Sequence, residues 1–294
     1  MMHRLFPDLG FVLGESPVWD DRASRLYCVD IEARRLYRLD PARGSFDSFD
    51  WPEKISCIGL TDPGPELLVA GVSGLWRFNP ETGARQLWAA FPDLPAGQRP
   101  NDGKVGPDGA FWVGTMEDRN DRGPAGRLYR FDPEGGVRVM AEGLTTPNGL
   151  DWSPDGRRMY RAETRALEIV QYDFDPETGT VSAPRPFVRL APEQGKPDGA
   201  AVAADGSYWV CGIYAGTVWG FHPDGRPAGS VAIGATMVTM PCFGGAALDQ
   251  LYVTALAQDG QASAGLFGGA ALTADPAARP LKGCPARRMR LAPV

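Results

Sequence analysis

The chain has 294 residues, with 30 Lys and Arg against 36 Asp and Glu, a net charge of −6. That mildly acidic balance argues against a nucleic-acid backbone as partner, and no apolar run reaches the roughly 20 residues of a membrane-spanning helix. Residues 1–8 lack the apolar core of roughly 7–15 residues that a secretory signal carries, and five cysteines without a Cys-x-x-Cys spacing suit a reducing, cytoplasmic setting.

Taken from the N-terminus, the chain repeats one unit. Turn signals stand at Asp20-Asp21, Asp62-Pro63, Asp108-Gly109, Asp155-Gly156, Asp205-Gly206 and Asp249. They lie roughly 40–50 residues apart, the period of four-stranded propeller blades. An aromatic, small-residue run follows each turn and reads as a strand: residues 25–29, 67–70, 110–114, 159–162, 207–211 and 250–254. A further strand is expected at 35–39, 74–78, 127–131, 169–172 and 217–221. Six such units predict an all-β fold, a six-bladed β-propeller with four-stranded blades around a central channel and residues 1–294 as a single domain. The sixth unit is the least regular. Its strands are expected from both ends of the chain, 266–267 and 288–291 at one and 4–13 at the other. Closing a ring in this way hides sheet edges.

The composition also removes whole classes of chemistry. There are 2 histidines. His3 is near the N-terminus and His222 falls in an outer hairpin turn, which argues against a Ser-His-Asp triad and histidine-rich zinc sites. Gly71-Val72-Ser73-Gly74-Leu75 is out of register for a nucleophile elbow. Neither a Gly-x-Gly-x-x-Gly turn nor a Walker loop occurs. Acid–base work falls to carboxylates, amides and a metal-bound water.

In a propeller the first strand of each blade lines the channel. Asn101, Asn148 and Asp198 each stand about seven residues ahead of an Asp-Gly turn. Glu15 falls near this point in the first blade, and the two remaining blades place Ile55 and Cys242 there. Four of six blades therefore aim an oxygen-bearing side chain at one mouth. Such hard donors suit Ca²⁺, Mg²⁺, Mn²⁺, or Zn²⁺ or Fe²⁺ with open positions. The competing reading is that each residue caps its own turn, but Glu15 and Asn101 are not followed by Gly. Arg99 either enters the mouth to hold substrate oxygens or is a solvated loop arginine. Asp102 either orients a metal-bound water or caps the turn at Gly103. Lys104 is expected on an inner strand facing a neighbouring blade. The charged insertion 116–126 either overhangs the mouth or is a solvated loop.

Seven runs stand in one order along the chain. They are Gly14-Glu15-Ser16-Pro17-Val18-Trp19, Arg99-Pro100-Asn101-Asp102-Gly103-Lys104, residues 111–116, Pro147-Asn148-Gly149-Leu150, Ser153-Pro154-Asp155-Gly156, Pro197-Asp198-Gly199 and Pro241-Cys242-Phe243-Gly244-Gly245. Together they resemble the regucalcin (senescence marker protein), gluconolactonase and luciferin-regenerating enzyme family. The resemblance implies a six-bladed propeller that hydrolyses sugar lactones with one divalent metal ion. It implies Glu15, Asn148 and Asp198 as metal ligands and Asp198 as catalytic base. Arg99 and Asn101 are implied as the substrate-holding pair, with Asp102 counted beside them. One departure follows Gly114-Thr115-Met116: where relatives carry a substrate-contacting acid, this chain reads Glu117, Asp118, Arg119, and neither acid is assigned that role. The expected activity is hydrolysis of an aldonolactone to its acid. The alternatives are an organophosphate or phosphoester hydrolase with Asp198 as nucleophile, and a calcium-binding propeller without catalysis.

Overall fold

Alternating β-branched and aromatic residues between Asp, Gly and Pro turns form strands along the whole chain. The computed structural model describes residues 2–258, 264–271 and 281–291. Among them the only helical segment is a 3-10 turn at Pro192–Gln194. The inner strands of the six blades are Gly14–Asp20, Ile55–Asp62, Gln98–Val105, Pro147–Trp152, Lys196–Val202 and Val238–Gly244. Each pairs antiparallel with the strand after it, and successive strands step outward. The fold is the six-bladed β-propeller that the repeat predicts.

Ring closure uses both ends of the chain. His3–Leu5 pairs antiparallel with Leu266–Ala270 and becomes the outermost strand of the sixth blade. Bridges of Phe11 to Ala264 and Leu13 to Leu256 extend the seam. Residues 288–291 depart from expectation. Arg288–Arg290 does not join the sixth blade but pairs parallel with Ile55–Asp62, on the inner edge of the second. Two contacts explain this. Met289 is fully buried among Cys57, Val105 and Phe111, and Arg288 reaches Asp20 at 2.6 Å and Asp21 at 2.7 Å in the first blade. The preceding residues cross the channel: Lys282 O accepts from Ala204 N at 2.7 Å, and Arg287 donates to Ser153 O at 3.1 Å. Between this tail and the second halves of the inner strands lies a cavity of about 90 Å³. Lys104 enters it, bridging to Asp151 at 2.9 Å and to Ala200 O at 2.8 Å, so it spans blades three to five as an inner-strand residue should.

The core is six wedges rather than one centre. Each apolar cluster joins two neighbouring blades. Trp112 of the third meets Trp152 and Phe174 of the fourth at 6.0 and 5.7 Å, edge to face. Trp19 of the first stacks on Tyr252 of the sixth at 5.8 Å, across the closing seam. Burial of this kind is the main favourable term in folding, and here it also fixes the angle between blades.

All six inner strands carry a register shift near their start: Glu15/Val18, Ile55/Cys57, Pro100/Gly103, Asn148/Asp151, Pro197/Ala200 and Val238/Pro241. A bulge bends the strand and re-aims side chains. The site residues fall in or beside these shifts.

The docking of the tail yields the first prediction. Met289→Ala should lower unfolding free energy by about 2–5 kcal/mol, the cost of emptying a packed apolar site, read from urea denaturation. A change below about 0.5 kcal/mol, the usual range for a surface substitution, would mean that the tail does not pack on the second blade.

Candidate active site at the channel mouth

The strand starts set Glu15, Asn101, Asn148 and Asp198 around one end of the channel. Hydrogen bonds tie most of this mouth into a belt running through four blades. Lys54 of the second blade bonds Asp118 at 2.8 Å, and Asp118 accepts from Arg99 Nε at 3.1 Å. Arg99 Nη1 donates to Asn101 Oδ1 at 3.0 Å and to Pro100 O at 2.9 Å. Asn101 Nδ2 donates to Asn148 Oδ1 at 2.7 Å and to Pro147 O at 3.1 Å. Asn148 Nδ2 donates to Thr164 Oγ1 at 2.8 Å, and that hydroxyl donates to Pro197 O at 2.7 Å. These bonds set the amide orientations: Asn101 Nδ2 donates twice and Asn148 Nδ2 once, while each carbonyl oxygen keeps a lone pair.

Glycine packing holds two of the strand starts. Gly149 has φ +58°, and a Cβ there would lie 2.2 Å from Tyr208 Oη, which donates to Gly149 O at 2.7 Å. A Cβ on Gly199 would lie 2.5 Å from Met240 Cβ. The glycines after Asn148 and Asp198 thus allow close approach of neighbouring blades, and the Asn and Asp do not owe their place to capping a turn.

The carboxylates behave differently from the amides. Glu15 accepts one bond, from Ser16 N at 3.1 Å. Asp198 is 5 % exposed, and among the described residues no hydrogen bond reaches its carboxylate. Burial pushes the Glu15 carboxyl well above its ordinary value, and Asp198 and Asp102 push it further. Burial, then Asp102, raises Asp198 in the same way, with Arg99 and Arg122 opposing. Asp102 is itself raised by burial. Its Oδ2 accepts from Leu150 N at 2.9 Å, while its Oδ1 is buried without a partner among the described residues.

Such a set fits a cation. A buried carboxylate (Asp198) and a half-buried one (Glu15) within each other's field, an amide oxygen with a free lone pair and a nearby orphaned oxygen are hard donors lacking a counter-charge. Among the described residues no three His, Cys, Asp or Glu gather as a cation site, and the candidate trio, with one amide, is not of that kind.

Sequence reading placed Cys242 level with these residues, and the structure corrects it. The register shift of the sixth blade starts at Val238, so Thr239 and Met240 stand at this level. Thr239 Oγ1 donates to Gly14 O at 2.6 Å, joining the sixth blade to the first. Cys242 lies beyond the shift and lines the cavity under the tail with Cys284. Two contributors were not foreseen: Thr164, in a hairpin turn without a repeat signal, and Asp118. Glu117 is not available to a ligand, because it accepts from Gly123 N at 2.6 Å and pairs with Arg119 at 2.8 Å. Burial opposes it, but Lys54 and Arg99 hold the Asp118 carboxyl below its ordinary value. The 116–126 insertion is neither free nor detached, since Asp118 ties it to the second blade and Arg165 donates to Asn120 O from the fourth.

Comparison with known proteins agrees with this architecture. A family model described as the SMP-30/gluconolactonase/LRE-like region matches residues 13–257. The chain is 38 % identical over 245 residues to a 6-deoxy-6-sulfogluconolactonase of Pseudomonas putida, covering 83 % of each chain. It is 37 % identical over 254 residues to the pentonolactonase XacC of Haloferax volcanii, covering 86 % of this chain and 84 % of that one. The crystal structure of a calcium-binding protein, regucalcin, from Agrobacterium tumefaciens superposes with a TM-score of 0.89 at 25 % identity, over 98 % of this chain and 97 % of that one. With the family model spanning most of the chain and relatives well above 30 % identity, the chain belongs to the SMP-30/gluconolactonase/LRE-like family.

Proposed function

We propose that the protein is a metal-dependent lactonase that opens a sugar lactone to its acid. The observation that carries this reading is the buried Asp198 carboxylate, without a hydrogen-bond donor among the described residues and beside Glu15, in a mouth lined by Arg99 and Asn101. Relatives named for gluconolactone- and pentonolactone-type substrates support it. Glu15, Asn148 and Asp198 would hold one divalent ion. The all-oxygen donor set favours calcium, magnesium or manganese over zinc or iron. When bound, such an ion supplies Lewis acidity toward the lactone carbonyl and lowers the pKa of water. Five free cysteines suit work in the cytoplasm.

The protein's own groups do the rest. Water oxygen adds to the carbonyl carbon while Asp198 takes the proton, and the ring C–O bond then breaks as that proton passes to the leaving alkoxide. Arg99 and Asn101 hold the sugar hydroxyls, because a planar fork of donors beside a mixed donor and acceptor fits a polyhydroxylated ring. Asp102 stands behind them, and its buried Oδ1, unpartnered among the described residues, is an acceptor for an ordered water that would support the pair.

Acid release from a panel of aldonolactones tests this. The protein as purified should hydrolyse at least one, lose activity to a chelator and regain it with metal. Asp198→Asn should lower kcat by roughly 10²–10⁴-fold, the worth of general base catalysis, since an amide cannot take the proton. Near-wild-type turnover in that variant would remove Asp198 from its role.

Arg99→Ala and Asn101→Ala should each cost about 1–3 kcal/mol in kcat/KM on sugar lactones and far less on an aliphatic lactone without hydroxyls. Equal losses on both substrates would show that the pair acts on the ester itself.

Stability of the chelated protein gives an independent check. A carboxyl whose folded pKa is raised contributes stability below its unfolded pKa, and that contribution is lost as pH rises through the folded value. Chelated Asp198→Asn should therefore be more stable than chelated wild type at pH 8, by roughly 0.5–2 kcal/mol. The gap should close toward roughly pH 4, the ordinary carboxyl range. A variant less stable than wild type at pH 8 would mean that Asp198 is compensated by groups of the protein.

A further inference from the structure

Two arginines near the mouth make no ion pair among the described residues. Arg122 lies in the loop after Phe111–Glu117 and is half-buried. Its Nε donates to Glu117 O at 3.0 Å. The carboxylates nearest it in sequence are committed elsewhere. Glu117 is held by Gly123 N and Arg119, and Asp118 by Lys54 and Arg99. Asp121 lies 3.7 Å from Arg119. Arg165 follows Thr164, whose hydroxyl holds Asn148, and donates to the backbone of Asn120 in the same loop. Among the described residues neither Arg122 nor Arg165 forms an ion pair.

Both guanidinium groups thus meet at one loop: Arg122 belongs to it and bonds Glu117 O, next to Asp118, the partner of Arg99, while Arg165 reaches it from the fourth blade and follows Thr164, the partner of Asn148. Their charges are felt there: burial lowers the Arg122 pKa, and Arg99 and Arg165 lower it further, while Asp118 and Asp198 oppose. A divalent ion on Glu15 and Asp198 would cancel much of that opposing charge. The loaded mouth would then carry a net positive field on the loop side, which a neutral sugar lactone leaves unanswered.

We propose that Arg122 and Arg165 form a subsite for an anionic substituent on the sugar, a sulfonate, phosphate or carboxylate remote from the lactone carbonyl. The inference rests on the lactonase reading and narrows its substrate class to lactones that carry a second, charged group. A guanidinium offers parallel donors that match two oxygens of such an anion; the half-buried position of Arg122 limits screening by salt, while Arg165 stands exposed at the rim.

Kinetics on matched substrates tests it. Gluconolactone is compared with its 6-sulfonate, its 6-phosphate and the lactone of the 6-carboxylate. Wild type should prefer at least one anionic lactone by about tenfold or more in kcat/KM. Arg122→Gln should cost that substrate about 10- to 100-fold and the neutral lactone under about threefold, with Arg165→Gln acting in the same direction. Hydrolysis of the neutral lactone without an anionic preference, or equal losses on both in Arg122→Gln, would overturn the subsite and leave the lactonase reading standing. If no lactone turns over, that reading fails, and calorimetry with the ring ether 1,5-anhydroglucitol and its 6-phosphate still decides the subsite. Tighter binding of the phosphate that weakens in Arg122→Gln supports it, and equal weak binding of both overturns it.

Discussion

Two carboxylates, one buried and one half-buried, within each other's field are the constraint on which this molecule turns. Glu15 and Asp198 belong to the first and fifth blades, and only a closed ring brings them to one mouth. Burial makes their ionised forms costly, and Asp102 adds to that cost. A fold does not keep such a cluster for stability, because replacing it with neutral groups would relieve the strain. The proposed function accounts for it: these oxygens would be preorganised for a cation, with Asp198 as the base beside it.

The rest of the architecture serves to hold that arrangement. Six apolar wedges fix the blades to one another, so the strand starts cannot drift apart. The repeated register shift at the start of every inner strand turns side chains toward the mouth where a regular ladder would alternate them. The belt from Lys54 through Asp118, Arg99, Asn101, Asn148 and Thr164 to Pro197 O locks the polar side chains in one orientation. The C-terminal tail packs on the inner edge of the second blade and covers a small cavity at the other ends of the inner strands. Precision at the site is therefore a property of the ring, and only secondarily of the loops.

Much of this was legible in the sequence, and the parts that were not share a cause. The repeat of Pro-Asn or Pro-Asp ahead of an Asp-Gly turn located Asn101, Asn148 and Asp198, because periodic packing demands the same turn in each blade. Glu15 followed from its equivalent place in the first blade. The same counting failed at Cys242, since the register shift of the sixth blade begins at Val238 and a fixed lag cannot follow it. Residues 288–291 had a strand pattern, but a pattern says nothing about its partner, and Met289 packs on the second blade through contacts more than 200 residues away in sequence. Thr164, Asp118, Arg122 and Arg165 lie in turns or insertions outside the repeat. Their meaning comes from which blades those turns bridge, and that exists only in three dimensions.

The central claim is that one cation sits among Glu15, Asn148 and Asp198. Anomalous diffraction from crystals grown with manganese, measured on both sides of the metal's absorption edge, addresses it directly. The account predicts a single strong peak bounded by those three side chains, lost in crystals of Asp198→Ala. A peak elsewhere, or none at this mouth with metal in excess, would contradict it.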